Sequence, residues 1–209
     1  MSAGVSPALP PSAPRASRVL PSMEKRHAPL ASAVAQRARL AELPLARSFE
    51  AALDGCGLSP LRATGVEVLQ VNLGKRCNQT CHHCHVDAGP DRREVMPRDV
   101  LEASLALLAR TRAPRFDVTG GAPELHPDFR ELVTRAAATG ARVMHRCNLT
   151  AILLPNYADI PALLAAHGVE VIASLPYFQA RETDAQRGAG VFEESLEGLR
   201  RRRPPAARW

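Results

Sequence analysis

The chain is 209 residues long, 45% apolar, 23% charged and 4% aromatic, an ordinary globular composition with room for one domain and a small appendage. No apolar run approaches the ~20 residues that span a bilayer, and no signal-peptide order of basic, apolar and small residues is present. A soluble, cytoplasmic protein with no membrane partner is expected. The formal charge of +6 is carried by the ends: residues 1–50 hold seven Lys/Arg against three Glu, residues 200–209 five Arg and no acid, and residues 51–199 fifteen basic against eighteen acidic groups. A basic excess confined to tails argues against a nucleic-acid footprint on the folded body.

Residues 1–45 are rich in Ala, Pro, Ser and Arg. Such a stretch buries too little apolar surface to offset its ordering entropy, so disorder is expected over 1–45, relieved by a fraying helix between Ser32 and Glu42. Its acid-poor character is that of a transit peptide, and an upstream misassigned start would read the same way. A short helix around Phe49, Ala52 and Leu53 follows, closed near Gly55 or Gly57. Val66 to Leu73 alternates β-forming residues as a strand does.

Pro97 to Arg110 reads as a helix, with Asp99 and Glu102 in its first turn and an apolar stripe of Val100, Leu101, Leu105 and Leu108. The strand-then-helix unit then repeats. Phe116–Val118 leads to a helix over about 128–139 stopped by Gly140. Arg142–Arg146 leads to a helix over about 159–167 ending at Gly168, and Val169–Ser174 to one from Val191 to about Arg202. Alternation with short connections predicts an α/β fold with a parallel sheet: a partial (β/α) barrel of about four βα units. The expected units are a tail at 1–45, a core at 46–200 and a basic tail at 201–209. The run Arg200–Pro205 breaks the pattern with a sheet edge still open, the expectation for a chain truncated or frame-shifted near residue 200.

Five cysteines are present, three of them in Cys77-x3-Cys81-x2-Cys84 directly after the first strand. A secreted disulfide framework would spread them along the chain. Three converging thiolates can ligate three irons of a [4Fe–4S] cubane and leave the fourth iron to a substrate or cofactor. Zinc remains open as an alternative, since Cys81, Cys84 and His82, His83 or His85 supply tetrahedral ligands. No second Cys- or His-rich pair stands nearby to close a zinc site, and the x3-then-x2 spacing after an N-terminal strand resembles the signature of the radical S-adenosylmethionine (SAM) superfamily.

Thr119-Gly120-Gly121-Ala122-Pro123-Glu124 follows the second strand, where adjacent glycines let backbone approach a ligand closely. It resembles the superfamily's Gly-Gly-Glu motif, which implies cofactor-binding roles for Gly120, Gly121 and Glu124 against the SAM amino group. Asn148 after the third strand, and Ile172 and Ser174 on the fourth, occupy the strand ends where barrel enzymes gather ligand contacts. The resemblance implies that Asn148 and Ser174 approach the SAM ribose and carboxylate and that Ile172 packs on the adenine. The alternatives are a turn cap, a strand end and core packing. Cys147 adjoins the same region, with a buried thiol as its plainer reading, and Cys56, His126 and His145 receive no role.

The match narrows at Leu69 to Pro90, Thr119 to Leu125, Asn148-Leu149-Thr150, Ala173 to Pro176 and Asp184 to Glu193, which together resemble the arsenosugar biosynthesis radical SAM protein family over about residues 48–200. That resemblance implies a transferase with a [4Fe–4S] cluster and SAM as cofactors, metal ligands Cys77, Cys81 and Cys84, and an electron donor such as flavodoxin or ferredoxin. The reaction implied is addition of 5′-deoxyadenosyl to a trivalent methylated arsenical. The family's Cys-rich C-terminal domain is not found in this sequence. Two other readings stay open: a radical SAM enzyme on another substrate such as a peptide, and an inactive cluster- or zinc-binding fragment.

Overall fold

The computed structural model of the chain describes residues 21–201. Two short helices come first. α1 (Ala33–Ala41) is capped by the Ser32 hydroxyl, which accepts from the Val34 amide, and α2 (Phe49–Gly55) by Ser48, which accepts from the Ala51 amide. A hydroxyl before the first turn satisfies an amide that no helical carbonyl reaches. Neither helix contains a buried residue, so both rest on local propensity and capping.

Four strands follow, each separated by a helix: β1 (Val68–Asn72), α3 (Arg98–Thr111), β2 (Arg115–Thr119), α4 (Phe129–Ala138), β3 (Arg142–Cys147), α5 (Ile160–Ala166) and β4 (Glu170–Ala173). The strands form one parallel sheet in the order β1-β2-β3-β4, with Val68 opposite Arg115, Phe116 opposite Val143 and Arg146 opposite Ile172. A parallel neighbour requires a crossover, and each helix supplies one. This is the expected arc of four βα units of an α/β barrel. α6 (Ala180–Arg187) and α7 (Val191–Arg201) close the described chain.

The helices pack on one face of the sheet. Leu101, Leu105 and Leu108 of α3 and Phe129, Leu132, Val133 and Ala136 of α4 are buried against Val71, Phe116, Val118 and Val143. Each such aliphatic side chain taken out of water contributes about 1.5–3 kcal/mol, which is why the stripe's spacing of three and four selects the helix. Val100, read from the sequence as part of this stripe, is 44% exposed. Its 100° step away from Leu101 carries it off the core.

The other face of the sheet is polar. Asp117 is buried on it, accepting from Gln70 Nε2 at 2.6 Å and from the Arg146 guanidinium at 2.9–3.1 Å. Val171 and Ala173 of β4 pack on the helix side, so strand alternation puts Ile172 and Ser174 on this polar face.

The structure differs from the sequence reading in three places. β1 begins at Val68, because Val66 and Glu67 precede the ladder and are exposed. α6 was not expected: its residues, ARETDAQR, bury only Thr183 and carry no apolar stripe to read. The third difference is in the stretch expected to be disordered, whose described part from residue 21 contains, besides the expected helix at α1, a docked turn. There Ser22 is 1% exposed, and the amides of Met23 and Glu24 donate to the two oxygens of Asp87 at 2.5 and 3.0 Å. Main-chain donors hold this segment, and they leave no side-chain pattern. Residues 1–20 and 202–209, with part of the predicted basic ends, lie outside the described residues. No helix among the described residues is long and apolar enough to cross a membrane.

Candidate active site

The loop from Leu73 to Glu94 leaves β1 at the carboxyl end of the sheet and returns beside it. Its shape depends on close backbone contacts. Lys75 N donates to Glu94 O at 2.9 Å and Cys77 N to Gly89 O at 3.2 Å, while Gly121 N and Ala122 N, arriving from β2, donate to Gly74 O and Arg76 O, each at 2.9 Å. A Cβ on Gly121 would stand 2.7 Å from Arg76 O and 2.8 Å from the Ala88 Cβ, and one on Gly74 2.3 Å from Glu94 O. The Gly120-Gly121 pair therefore seats the β2 turn against the cysteine loop.

Cys77 is buried, and Cys81 and Cys84 are half-buried. Burial pushes the Cys77 thiol up to about 12, and the nearby Cys81 and Cys84 oppose its ionisation further. Burial also raises Cys81, partly offset by the Arg187 guanidinium, while Cys84 again opposes its ionisation. Cys77 and Cys81, whose ionisation burial and neighbouring thiols oppose, need a cation beside them to ionise together. Two sulfurs already accept amide hydrogens, Cys77 Sγ from Gln79 N at 3.4 Å and Cys84 Sγ from Ala88 N at 3.2 Å.

A soft, sulfur-only donor set suits an iron–sulfur cubane. His82 and His85 are exposed. Among the described residues, Glu124, His145 and Cys147 place one ligand atom each within 4.8 Å of one another, away from the loop and wholly buried.

Glu124 is fully buried behind the loop. Its Oε1 lies 2.8 Å from His145 Nε2 and accepts from Asn148 N at 3.0 Å. The 3₁₀ turn Pro123–Leu125 points the Glu124 carboxylate into the protein, so this side chain faces His145 and Asn148. Asn148 is also 6% exposed. Its Nδ2 donates to Cys77 Sγ at 3.4 Å and Asn78 Oδ1 at 2.8 Å, and its Oδ1 accepts from Thr150 N at 3.2 Å and Thr150 Oγ1 at 3.1 Å. An amide has two donors and two acceptor sites, and all are used. In this arrangement the side chain expected near the SAM ribose or carboxylate is engaged by Cys77, Asn78 and Thr150. Ile172 and Ser174 make no hydrogen bond to the loop among the described residues. Ser174 N reaches back to Cys147 O at 3.4 Å.

Beside the loop is a cleft of about 490 Å³ lined by Asn78, Gln79, Thr80, Thr150, Arg187 and Val191, among others. Gln79 Nε2, Thr80 Oγ1 and Arg187 Nε are buried there without a partner. Three unpartnered donors in one cleft suit a ligand bearing acceptor oxygens. α6 and α7 close it. His82 N donates to Gln186 O at 2.8 Å, and Asp184 receives the amides of Gly190 and Phe192 at 2.8 and 2.9 Å, capping α7. Gly198 lets α7 lie on the Leu149 carbonyl, 2.5 Å from where a Cβ would be. The sequence reading missed Asn78, Gln79, Thr80, Thr150 and Arg187 as site residues. Each is an ordinary polar residue in a loop or at a helix end, and only the tertiary contact marks it.

The model of the radical SAM superfamily matches residues 71–203. The chain belongs to the radical SAM superfamily. It is 34% identical over 127 residues to the mycofactocin maturase MftC of Mycobacterium ulcerans, covering 59% of this chain and 32% of that protein. It is 23% identical over 133 residues to a probable GTP 3′,8-cyclase of Pyrococcus horikoshii, covering 64% and 42%. The crystal structure of Streptococcus suis SuiB bound to S-adenosylmethionine superposes with a TM-score of 0.54 at 14% identity, over 84% of this chain and 41% of that one. The radical SAM chain described here thus spans about a third to two-fifths of the length of these relatives. The superfamily is one of enzymes, and its cofactors are a [4Fe–4S] cluster and SAM.

Proposed function

We propose that Cys77, Cys81 and Cys84 hold a [4Fe–4S] cluster, and that the protein transfers the 5′-deoxyadenosyl group of SAM to a trivalent methylated arsenical. A cluster held by the three thiols would supply the electron that cleaves the SAM sulfonium to a 5′-deoxyadenosyl radical. The chain's own residues do the rest. The backbone at Gly120 and Gly121 approaches the cysteine loop closely enough to line the nucleoside site, and Ile172 and Ser174 border it from the polar face of the sheet. Arg187, Gln79 and Thr80 offer their unpartnered donors to the ligand's charged end. The walls formed by α6 and α7 keep bulk water from the radical.

The observation carrying the arsenical reading is the block resemblance at residues 69–90, 119–125, 148–150 and 184–193. It is supported by how those blocks meet: Asn78 donates to Thr150 Oγ1 at 2.8 Å, Ala122 to Arg76 O at 2.9 Å and His82 to Gln186 O at 2.8 Å. A polarisable arsenic lone pair accepts a carbon radical without any hydrogen abstraction; the arsenic-centred radical so formed would return one electron to the oxidised cluster and lose its hydroxyl proton, leaving a pentavalent arsinoyl product. The test is anaerobic reconstitution followed by turnover with dimethylarsinous acid. A deoxyadenosine–arsenic adduct is expected, and release of 5′-deoxyadenosine alone, unaffected by the arsenical, would overturn the arsenical substrate.

A second reading is a radical SAM enzyme acting on a peptide. It is favoured by the identity to a mycofactocin maturase and by a solved SuiB structure bound to precursor peptide SuiA, which superposes with a TM-score of 0.50 at 13% identity.

A further inference from the structure

We propose that Asn148 tunes the cluster through the sulfur of Cys77, and that the buried Glu124–His145 pair is the positioning device that keeps it there. The proposal rests on Cys77 being a cluster ligand. It departs from the expectation that the Asn148 side chain binds the nucleoside, because that side chain has no free donor or acceptor.

The amide's orientation is determined by its neighbours. Thr150 N is a donor only, so the Asn148 atom 3.2 Å from it must be the carbonyl oxygen. The amide nitrogen then faces Cys77 Sγ at 3.4 Å and Asn78 Oδ1 at 2.8 Å. Asn78 Nδ2 in turn donates to Thr150 Oγ1 at 2.8 Å, and that hydroxyl donates to Asn148 Oδ1 at 3.1 Å. Asn78, Thr150 and Asn148 thus form a closed ring, and flipping the Asn148 amide would set donor against donor at Thr150 N and acceptor against acceptor at Asn78 Oδ1.

The main chain is held with equal firmness. Glu124 Oε1 receives Asn148 N at 3.0 Å while lying 2.8 Å from His145 Nε2, with both side chains fully buried. His145 stands on β3, and its ring packs at 4.9 Å against Phe129 of α4. The carboxylate is therefore anchored to the sheet on one side and to the turn bearing Asn148 on the other. Such an arrangement holds a donor against a sulfur without the entropy cost of a surface side chain finding its place.

A donor aimed at a ligating sulfur stabilises the reduced, more electron-rich state and raises the reduction potential. Its removal lowers the potential. The experiment is a redox titration of the full-length reconstituted protein without SAM, following the reduced cluster by electron paramagnetic resonance. N148A and N148D are each expected to shift the midpoint to more negative potential with iron content unchanged. E124A is expected to shift it in the same direction, and E124A/N148A no further than N148A alone. A purely structural role for Glu124 would not produce that non-additivity.

If N148A does not keep iron, the isosteric N148D decides. A full complement of iron with an unmoved potential in N148D overturns the proposal. So does a variant that loses SAM affinity while its SAM-free potential stays put, since that returns Asn148 to the nucleoside. A wild-type chain that assembles no iron–sulfur cluster overturns the cysteine assignment instead.

Discussion

Glu124 Oε1 lies 2.8 Å from His145 Nε2, with both residues withdrawn completely from solvent between the sheet and the cysteine loop. Neither residue belongs to the cysteine motif, and the two are 21 positions apart. Truncating Glu124 strands His145 and the Asn148 amide in the interior. E124A is expected to cost about 1–3 kcal/mol, read as a lower urea midpoint with an unchanged slope, and E124Q less, because a carbonyl can still accept from Asn148. Equal stability of E124A and wild type would show that the pair holds nothing.

The cysteines separate cleanly by position. Cys77→Ala, Cys81→Ala and Cys84→Ala should each abolish retention of the roughly four irons of a cubane, measured as iron and labile sulfide after anaerobic reconstitution. Cys56 is exposed, far along the chain from the loop, and Cys56→Ala should load iron normally. One bound zinc per wild-type chain, with no sulfide, is the result against the cluster.

Gly121→Ala places a methyl 2.7 Å from Arg76 O, and Gly74→Ala one 2.3 Å from Glu94 O at a backbone φ of +125°. Both contacts are with main chain, which cannot turn aside as a side chain can. Each substitution should cost about 1–3 kcal/mol and speed iron loss from the loaded protein, whereas Gly140→Ala, with open space at its Cβ, should pay only the backbone strain of its positive φ and leave iron retention alone.

α3 and α4 are joined by four charges. Arg98 holds Glu131 at 2.6–2.7 Å, and Arg135 holds Glu102 at 2.6 Å. Hydrogen bonds from Arg98 and then Arg135 pull the Glu131 carboxyl from 4.5 down to about 2. A carboxyl whose pKa falls on folding stabilises the protein above its unfolded value, and that contribution is lost as the pH drops from about 4.5 towards 2. Acid titrations should therefore show a shallower loss in R98A than in wild type over that window, and high salt should narrow the difference because all four groups are exposed.

The turn at residues 22–28 is clasped to the cysteine loop. Ser22 Oγ donates to Asp91 at 2.7 Å, Met23 and Glu24 donate their amides to Asp87, and the buried Arg92 pairs with Asp87 at 3.0 Å and also with Glu24 and Glu94. Asp87→Ala removes the acceptor of both amides and one of the three carboxylates paired with Arg92, for an expected loss of about 1–3 kcal/mol. Hydrogen exchange should rise at Met23 and Glu24 together with the Cys84–Gly89 segment, and a rise confined to the turn would mean that it adds nothing to the loop.

The βα alternation could be read from the chain because each helix keeps apolar residues at one spacing and each strand at another, as at Leu101, Leu105 and Leu108 or at Phe116 and Val118. The three thiols were legible because their chemistry needs one residue type at one spacing. These are properties of nearest neighbours along the chain, and the sequence by itself determined them. Only the tertiary structure decided what surrounds the thiols. It turned Glu124 inward to His145, used up the Asn148 amide on Cys77 and Asn78, brought Arg187 beside Cys81, and docked the Ser22 turn on Asp87. Those relations join residues between 21 and over 100 positions apart through hydrogen bonds and burial, forces that depend on distance in space and leave no periodic trace in the order of the amino acids.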